Sequence, residues 1–138
     1  MSAAIRYHHH SLYFIEGTVM AKMKANPYNW SEVKLFLKGE DYRRIGHNTI
    51  VVSEKHQINI IYHNTSIVEF FPNHTKYFSG GWRTSTTKQR INEFLPPGYG
   101  LFQRMYDWFI SKQIFTLEKD IVIPWEEGFT IELEKGRD

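Results

Sequence analysis

The chain has 138 residues, 41% hydrophobic and 16% aromatic, which is enough to close one core and too little for two independent domains. Its 17 lysines and arginines against 15 aspartates and glutamates give a formal net charge of only +2, unlike a dedicated duplex-DNA binder, so any anion site must be local. Cysteine is absent, which excludes disulfides, thiolate metal sites and a cysteine nucleophile.

Residues 1–24 are interpreted as a loosely attached N-terminal extension, and residues 25–138 as a single ligand-binding domain. The extension holds a His8-His9-His10 triplet, but three adjacent histidines do not share one face of a regular element, so a metal site is not favoured. Its apolar cluster at residues 12–15 is short and is followed by Glu16, unlike a signal peptide or membrane span. We therefore expect a cytoplasmic protein.

The first predicted elements are one helix and a group of strands. Residues 31–39 predict a short helix that Asn29 or Ser31 opens and Gly39 closes. After Asn48, short β-forming runs alternate with polar turns and predict an antiparallel meander. The predicted strands span residues 49–52, 57–62, 66–71 and 75–78.

The second half predicts another helix and another hairpin. The helix covers about residues 87–95 and stops at Pro96-Pro97-Gly98. Residues 101–105 and 108–110 then form a hairpin, and residues 113–117 and 129–133 are further possible strands. Together these elements predict a single-domain α+β fold, one twisted antiparallel sheet with two or three helices.

The run from Gly80 to Asn92 holds more ligand-binding chemistry than any other window: two glycines, a tryptophan, four hydroxyls, three cations and an asparagine. Thr86 with Gln89 matches a capping box, so the run reads as a loop that enters a helix. Gly80-Gly81 permits close backbone approach, and Trp82 offers a flat face to a nucleobase. The helix N-terminus that follows suits a phosphate.

On the predicted helix, Lys88 and Asn92 are four residues apart and share a face, while Arg90 lies nearer the other edge of the apolar stripe. Asn92 is then placed to offer its amide to a base or ribose. On the second hairpin, Phe102 and Arg104 alternate, which sets an aromatic ring and a cation on one side. The candidate ligand-binding residues are Gly81, Trp82, Arg83, Thr84, Thr86, Thr87, Lys88, Arg90, Asn92, Phe102 and Arg104.

A purely structural interpretation of the same residues stays open, with a glycine turn, a buried tryptophan and an ordinary helix cap. Arg43-Arg44 reads as solvated surface, and His47, His56, His63 and His74 read as ordinary surface histidines. Trp125-Glu126-Glu127 supplies carboxylates that nothing pairs with a base. No Walker loop, dinucleotide fingerprint or nucleophile elbow is present, so we expect binding without turnover, and no metal or cofactor.

Two other functions remain possible from the residues alone. One is a single-stranded nucleic-acid binder with Trp82, Phe102 and Tyr106 as stacking plates, although the small net charge argues against it. The other is a protein-interaction module in which the helix stripe and the hairpin are only core and interface.

Four stretches carry a more specific resemblance. They are Arg-Arg-Ile-Gly-His-Asn-Thr at 43–49, His-Asn-Thr-Ser-Ile-Val at 63–68, the whole run at 80–92 and Tyr-Asp-Trp-Phe at 106–109. Through them, residues 43–110 resemble the Thoeris anti-defence sponge family of small phage and prophage proteins. Residues before about Met23 have no counterpart there.

The resemblance implies a non-enzymatic protein of the infected bacterial cell that sequesters cyclic ADP-ribose signals made by TIR-domain proteins. Some members also hold cyclic trinucleotides at separate sites. It implies a homodimer that can assemble further, as far as a hexamer, and we expect Trp108 or Phe109 at the seam. Trp82 would match the base-stacking aromatic and Asn92 a polar contact, with Thr87, Lys88 and Arg90 near phosphates.

Overall fold

The structure is a computed structural model that describes residues 26–114 and 119–133. The predicted extension at 1–24, its histidine triplet and residues 115–117 of a predicted strand lie outside the described residues. The described elements are α1 (Trp30–Leu37), β1 (Tyr42–Gly46), β2 (Thr49–Ser53), β3 (Ile58–Tyr62), β4 (Thr65–Phe71), β5 (His74–Tyr77), α2 (Ser85–Asn92), β6 (Tyr99–Arg104), β7 (Asp107–Ile114), β8 (Lys119–Pro124) and β9 (Phe129–Glu132). The predicted single-domain α+β class is confirmed.

Helix α1 begins and ends close to its predicted bounds. The Asn29 side chain accepts a hydrogen bond from the Glu32 amide at 2.9 Å, and Glu32 in turn accepts one from the Tyr28 amide at 3.1 Å. Asn29 is therefore the N-cap, and the reciprocal bonds form a capping box. At the other end, Lys38 adopts a left-handed conformation just before Gly39.

The meander forms a six-stranded antiparallel sheet in the order β1-β2-β3-β4-β5-β9. All four predicted strands of the meander are present, but β1 was missed, because its Arg43-Arg44 pair resembles a polar surface segment. In the structure the Arg43 guanidinium covers the Phe36 ring and donates to the Phe36 carbonyl. The guanidinium thus joins β1, at the edge of the sheet, to α1.

The second hairpin forms a separate sheet, β6-β7-β8, rather than an extension of the first. The hairpin itself and the final strand β9 were predicted, whereas β8 was not. Strand β9 pairs not with β8, which precedes it in the chain, but with β5 of the large sheet, with Tyr77 opposite Phe129. This pairing carries the preceding loop, which contains Glu127, to the end of β5.

The core lies between one face of the large sheet, the two helices and the small sheet. Its buried side chains include Val33 and Leu37 from α1, and Ile91 from α2. Helix α2 ends at Asn92 rather than at residue 95, so Phe94 and Leu95 of the predicted apolar stripe lie beyond it. Both are nevertheless buried, and the Tyr77 hydroxyl donates to the Phe94 carbonyl at 2.9 Å. Among the described residues, no helix is long and apolar enough to cross a membrane.

Candidate functional site

The glycine pair forms a tight turn at the end of β5. The Trp82 amide donates to the Ser79 carbonyl at 3.1 Å, and both central residues have positive φ, 66° at Gly80 and 86° at Gly81. Positive φ at both central positions defines a type I′ turn, which glycine adopts without steric cost. A Cβ atom at Gly80 would also collide with the methyl group of Thr65. The turn therefore packs directly on the β3–β4 hairpin.

Helix α2 follows this turn but begins two residues before the predicted start. Its N-cap is Thr84, whose hydroxyl accepts a hydrogen bond from the Thr87 amide at 3.2 Å. The predicted Thr86–Gln89 capping box is therefore wrong. Threonine is an equally good N-cap at position 84 or 86, so residue type alone does not select the cap. The preceding turn favours Thr84, whose amide donates to the Trp82 carbonyl at 2.9 Å.

A cavity of about 370 Å³ lies between the β3–β4 turn, the glycine turn and the start of α2. A bulge in β4 contributes to it, since Ile60 pairs with Val68 and Ile61 with Ser66, which leaves Ile67 as an extra residue that lines the cavity. The lining residues are Tyr62, His63, Asn64, Thr65, Ile67, Ser79, Trp82, Thr84, Thr86 and Thr87. Four predicted site residues thus meet in one place: Trp82, Thr84, Thr86 and Thr87.

Trp82 is 64% exposed, so the alternative that it is an ordinary core tryptophan is wrong. Its indole stacks on no other ring of the described residues. A tryptophan normally buries most of its surface, so an open indole at a cavity mouth is an unusual feature that a ligand would cover.

The polar lining of this cavity favours a neutral or anionic group. The Thr84 hydroxyl lies 3.2 Å from the Thr86 hydroxyl and donates to the Thr87 hydroxyl at 3.1 Å. No acidic residue lies in the first turn of α2, and within the described chain the amides of Ser85 and Thr86 donate no hydrogen bond. The positive end of the helix dipole therefore opens on the cavity without a compensating carboxylate.

Glu127 organises the glycine turn from 48 residues away, which sequence analysis missed. Its carboxylate accepts hydrogen bonds from the Ser79 amide at 2.7 Å, the Ser79 hydroxyl and the Gly80 amide at 3.3 Å. The Trp125 indole adds a bond at 2.9 Å, and the Arg83 guanidinium lies 3.9 Å away. The amides of Ser79 and Gly80 in the turn thus hold a carboxylate of the protein itself.

The electrostatics of Glu127 follow from this arrangement. Burial by itself raises the pKa of Glu127, but the hydrogen bonds from Ser79, Trp125 and Gly80 outweigh burial and leave the pKa below its ordinary value of 4.5. The group is therefore ionised at neutral pH. The sequence shows Glu127 only as one of two glutamates after Trp125. No local pattern around it indicates a contact with the glycine turn.

The predicted cations do not line the cavity. Arg83 lies beside Glu127 and 5.8 Å from the Trp108 ring centroid. Arg90 forms an ion pair with Glu93 at 2.8 Å and lies 5.1 Å from the Tyr62 ring centroid. Lys88 is half-buried on α2 and is not among the lining residues. Gly81 is exposed in the turn and donates its amide to the Ser79 hydroxyl at 3.1 Å.

Asn92 holds two parts of the fold together. Its amide nitrogen donates to the Leu101 carbonyl at 2.8 Å and to the Lys88 carbonyl at 3.2 Å, and its oxygen accepts from the Leu101 amide at 2.8 Å. These contacts give the side chain a structural role, and its contact with a ligand stays a prediction. Both ends of the amide connect α2 to β6, and Asn92 lies outside the cavity lining.

Phe102 and Arg104 also lie apart from the cavity, on the small sheet. As predicted they share a side, since the Arg104 guanidinium lies 5.6 Å from the Phe102 ring centroid. Phe102 stacks on Phe109 with 5.7 Å between centroids. Trp108 is only 2% exposed and packs edge-on against Trp125, so of the two residues expected at a dimer seam only the half-buried Phe109 remains a prediction.

A second cavity of about 280 Å³ lies at the start of α1. Tyr28, Asn29, Trp30 and Ser31 line it from the helix side, and Glu132 adds a carboxylate. The two cavities therefore each border the N-terminus of a helix. No group of three or more metal-binding side chains lies together in the described chain.

Residues 20–132 match the family of the Kyanoviridae Gp96 protein, so the chain belongs to this family of phage proteins. No curated protein and no solved structure matches the chain. The predicted phage origin is thereby confirmed. The narrower resemblance to the Thoeris sponge family stays a prediction, since the family description names no activity.

Proposed function

We propose that this phage protein binds a small nucleotide-type ligand in the cavity beside α2 and sequesters it without turnover. The observation that carries the proposal is the exposed Trp82 at the mouth of a cavity whose far side is a helix start without an acid. An indole face suits a base, and unfilled helix amides with threonine hydroxyls suit a phosphate.

The size and lining of the cavity support one small ligand rather than a polymer. A volume of about 370 Å³ is near the lower end of the range of about 300–1,000 Å³ found for ligand pockets. Among the described residues His63 lines the cavity but no carboxylate does, so an acid–base pair for turnover is not assembled there. The resemblance to sponges suggests cyclic ADP-ribose isomers as the first ligands to test.

Calorimetric titration of the full chain with a panel of cyclic ADP-ribose isomers tests the proposal. A bound isomer should be recovered intact by mass spectrometry after heat denaturation, since no bond is broken. Recovery of a hydrolysed product would show an enzyme, and no binding of any isomer would refute this choice of ligand class.

Trp82 should contribute the largest single share of affinity. Trp82→Ala should weaken binding by about 5-fold to 150-fold, the range expected for loss of one base stack of about 1–3 kcal/mol, and Trp82→Phe should restore most of it. Tyr106→Ala is the matched control, because Tyr106 is 92% exposed at the β6–β7 turn, away from the cavity.

The same pair of variants separates the proposal from single-stranded nucleic-acid binding. A nucleic-acid binder should lose affinity for oligonucleotides with either variant and should show a steep dependence on salt. A small-ligand pocket should respond to Trp82 alone. Equal losses for Trp82→Ala and Tyr106→Ala would favour the nucleic-acid function.

Self-association is the remaining part of the proposal. Strand β8 pairs only with β7 within the described chain, and Ile121, Val122 and Ile123 are 42%, 47% and 37% exposed. An apolar edge strand is a typical pairing surface. A two-fold antiparallel pairing centred on Val122 sets Ile121 of one copy opposite Ile123 of the other. Light scattering should therefore give a dimer that Val122→Lys converts to a monomer.

A further inference from the structure

The glycine turn has the form of an anion site that is already occupied. Two successive backbone amides, a hydroxyl and an indole N–H converge on the Glu127 carboxylate, and the Arg83 guanidinium lies at the edge. Converging backbone amides of this kind are a common way to hold phosphate or carboxylate. Here the anion comes from the loop before β9.

The position of Trp82 depends on this turn. Its ring stacks on no other ring of the described residues, and its backbone is held by the 3.1 Å bond from the Trp82 amide to the Ser79 carbonyl. Ser79 in turn is fully buried and bonded to Glu127 through both its amide and its hydroxyl. The point at which the Trp82 side chain leaves the backbone therefore depends on the contact between Ser79 and Glu127.

We infer that Glu127 is a positioning residue: its carboxylate fills the amide nest of the Ser79–Trp82 turn, fixes Trp82 over the cavity and leaves the start of α2 as the place for the ligand phosphate. This inference rests on the proposed function for its effect on ligand affinity. Its effect on the turn does not depend on any ligand.

The turn is partly exposed. Removal of the Glu127 carboxylate should therefore loosen the conformation of the turn more than it lowers the stability of the whole fold. The Glu127 side chain is 40% exposed and that of Arg83 44%, so water can reach the donors when the carboxylate is removed. Water satisfies the amides but does not hold them in one arrangement. The turn should then sample other conformations, and Trp82 should lose its fixed place.

The experiment compares Glu127→Ala with the wild-type chain and with Glu126→Ala. Glu126 is the matched control because it is the adjacent glutamate, and its exposed side chain has no hydrogen-bond partner in the described chain. Amide exchange measured by NMR at Ser79 and Gly80 should quicken at least about tenfold in Glu127→Ala only. Affinity for cyclic ADP-ribose isomers that bind the wild type should fall by a similar factor, which corresponds to about 1.4 kcal/mol.

Chemical rescue distinguishes a positioning role from a merely structural one. Sodium acetate supplies the carboxylate that Glu127→Ala lacks, so it should slow exchange at Ser79 and Gly80 and restore ligand affinity. Sodium chloride at the same ionic strength should do neither. Unchanged exchange in Glu127→Ala, or equal effects of the two salts, would overturn the inference.

If Glu127→Ala does not fold, Glu127→Gln replaces it, because glutamine keeps the shape of the side chain and one acceptor oxygen. Faster amide exchange confined to the turn of Glu127→Gln would support the inference, and exchange at the wild-type rate would refute it. If no isomer binds the wild-type chain, the proposed ligand class fails. Amide exchange and its response to acetate still decide the role of Glu127.

Discussion

Helices α1 and α2 have the same length, a polar N-cap and a cavity beside the N-terminus, but their first turns differ in charge. In α1 the third helical residue is Glu32, which accepts the Tyr28 amide and completes a capping box. In α2 the third residue is Thr87, and no acid lies in the first turn. A helix start that carries its own anion is complete as a structural element, whereas one without an anion is available to a ligand.

Thr86→Glu should break this difference most strongly, because it gives α2 the acid that it lacks. A carboxylate about 4 Å from a ligand phosphate is repelled by about 4 kcal/mol at an effective dielectric constant near 20, so affinity for a phosphorylated ligand should fall at least about 100-fold. The helix itself should gain about 0.3–1 kcal/mol from the charge at its N-terminus.

Calorimetric titration and thermal melting measure both effects of Thr86→Glu. Thr86→Gln has nearly the same size without the charge and should bind within a fewfold of the wild type. If Thr86→Gln loses as much affinity as Thr86→Glu, size rather than charge governs this site.

Asn92→Ala should show whether the C-terminal end of α2 stabilises the fold rather than contacting the ligand. Loss of the side chain leaves the Leu101 amide and carbonyl without their partner, which should lower the free energy of unfolding by about 2 kcal/mol in a denaturant titration. Gln89→Ala, at an exposed position on the same helix, should change it by less than about 0.5 kcal/mol. A stable Asn92→Ala protein with weak ligand binding would instead favour the ligand contact expected from the family resemblance.

Removal of each N-cap side chain gives a matched pair of variants with a smaller expected effect on stability. Asn29→Ala and Thr84→Ala should each lower the free energy of unfolding by about 1 kcal/mol, because each removes one side-chain acceptor from a helix start. Only Thr84→Ala should also weaken ligand binding. Equal binding by the two variants would mean that the α2 start takes no part in recognition.

The smallest effect should come from the titration of Glu127. Because its pKa is lowered on folding, its contribution to stability is fully present above about pH 4.5 and is lost as the pH falls through the folded pKa. Thermal melts of wild type and Glu127→Gln should differ by a constant amount at neutral pH and converge below about pH 4.5. A constant difference down to pH 3 would contradict the assignment.

Local sequence patterns predicted those parts of the fold that depend on neighbouring residues. Alternating apolar residues indicated the strands of the meander, and Asn29 and Gly39 marked the ends of α1. The patterns missed β1 and β8, because Arg43-Arg44 and the charged start of β8 resemble surface loops. The division into two sheets was also missed, since strand pairing joins residues that are far apart in the chain.

For the candidate site, the sequence by itself determined the residue types: a glycine pair that requires positive φ, a tryptophan beside it and a helix start rich in threonine. Only the tertiary structure decided how they are used. It placed Glu127 on the Ser79 amide, directed Arg83 to that carboxylate and tied Asn92 to Leu101. Turn and cap geometry follows from local sterics and hydrogen bonds, whereas the occupant of an anion nest depends on which distant chain segment the fold brings to it.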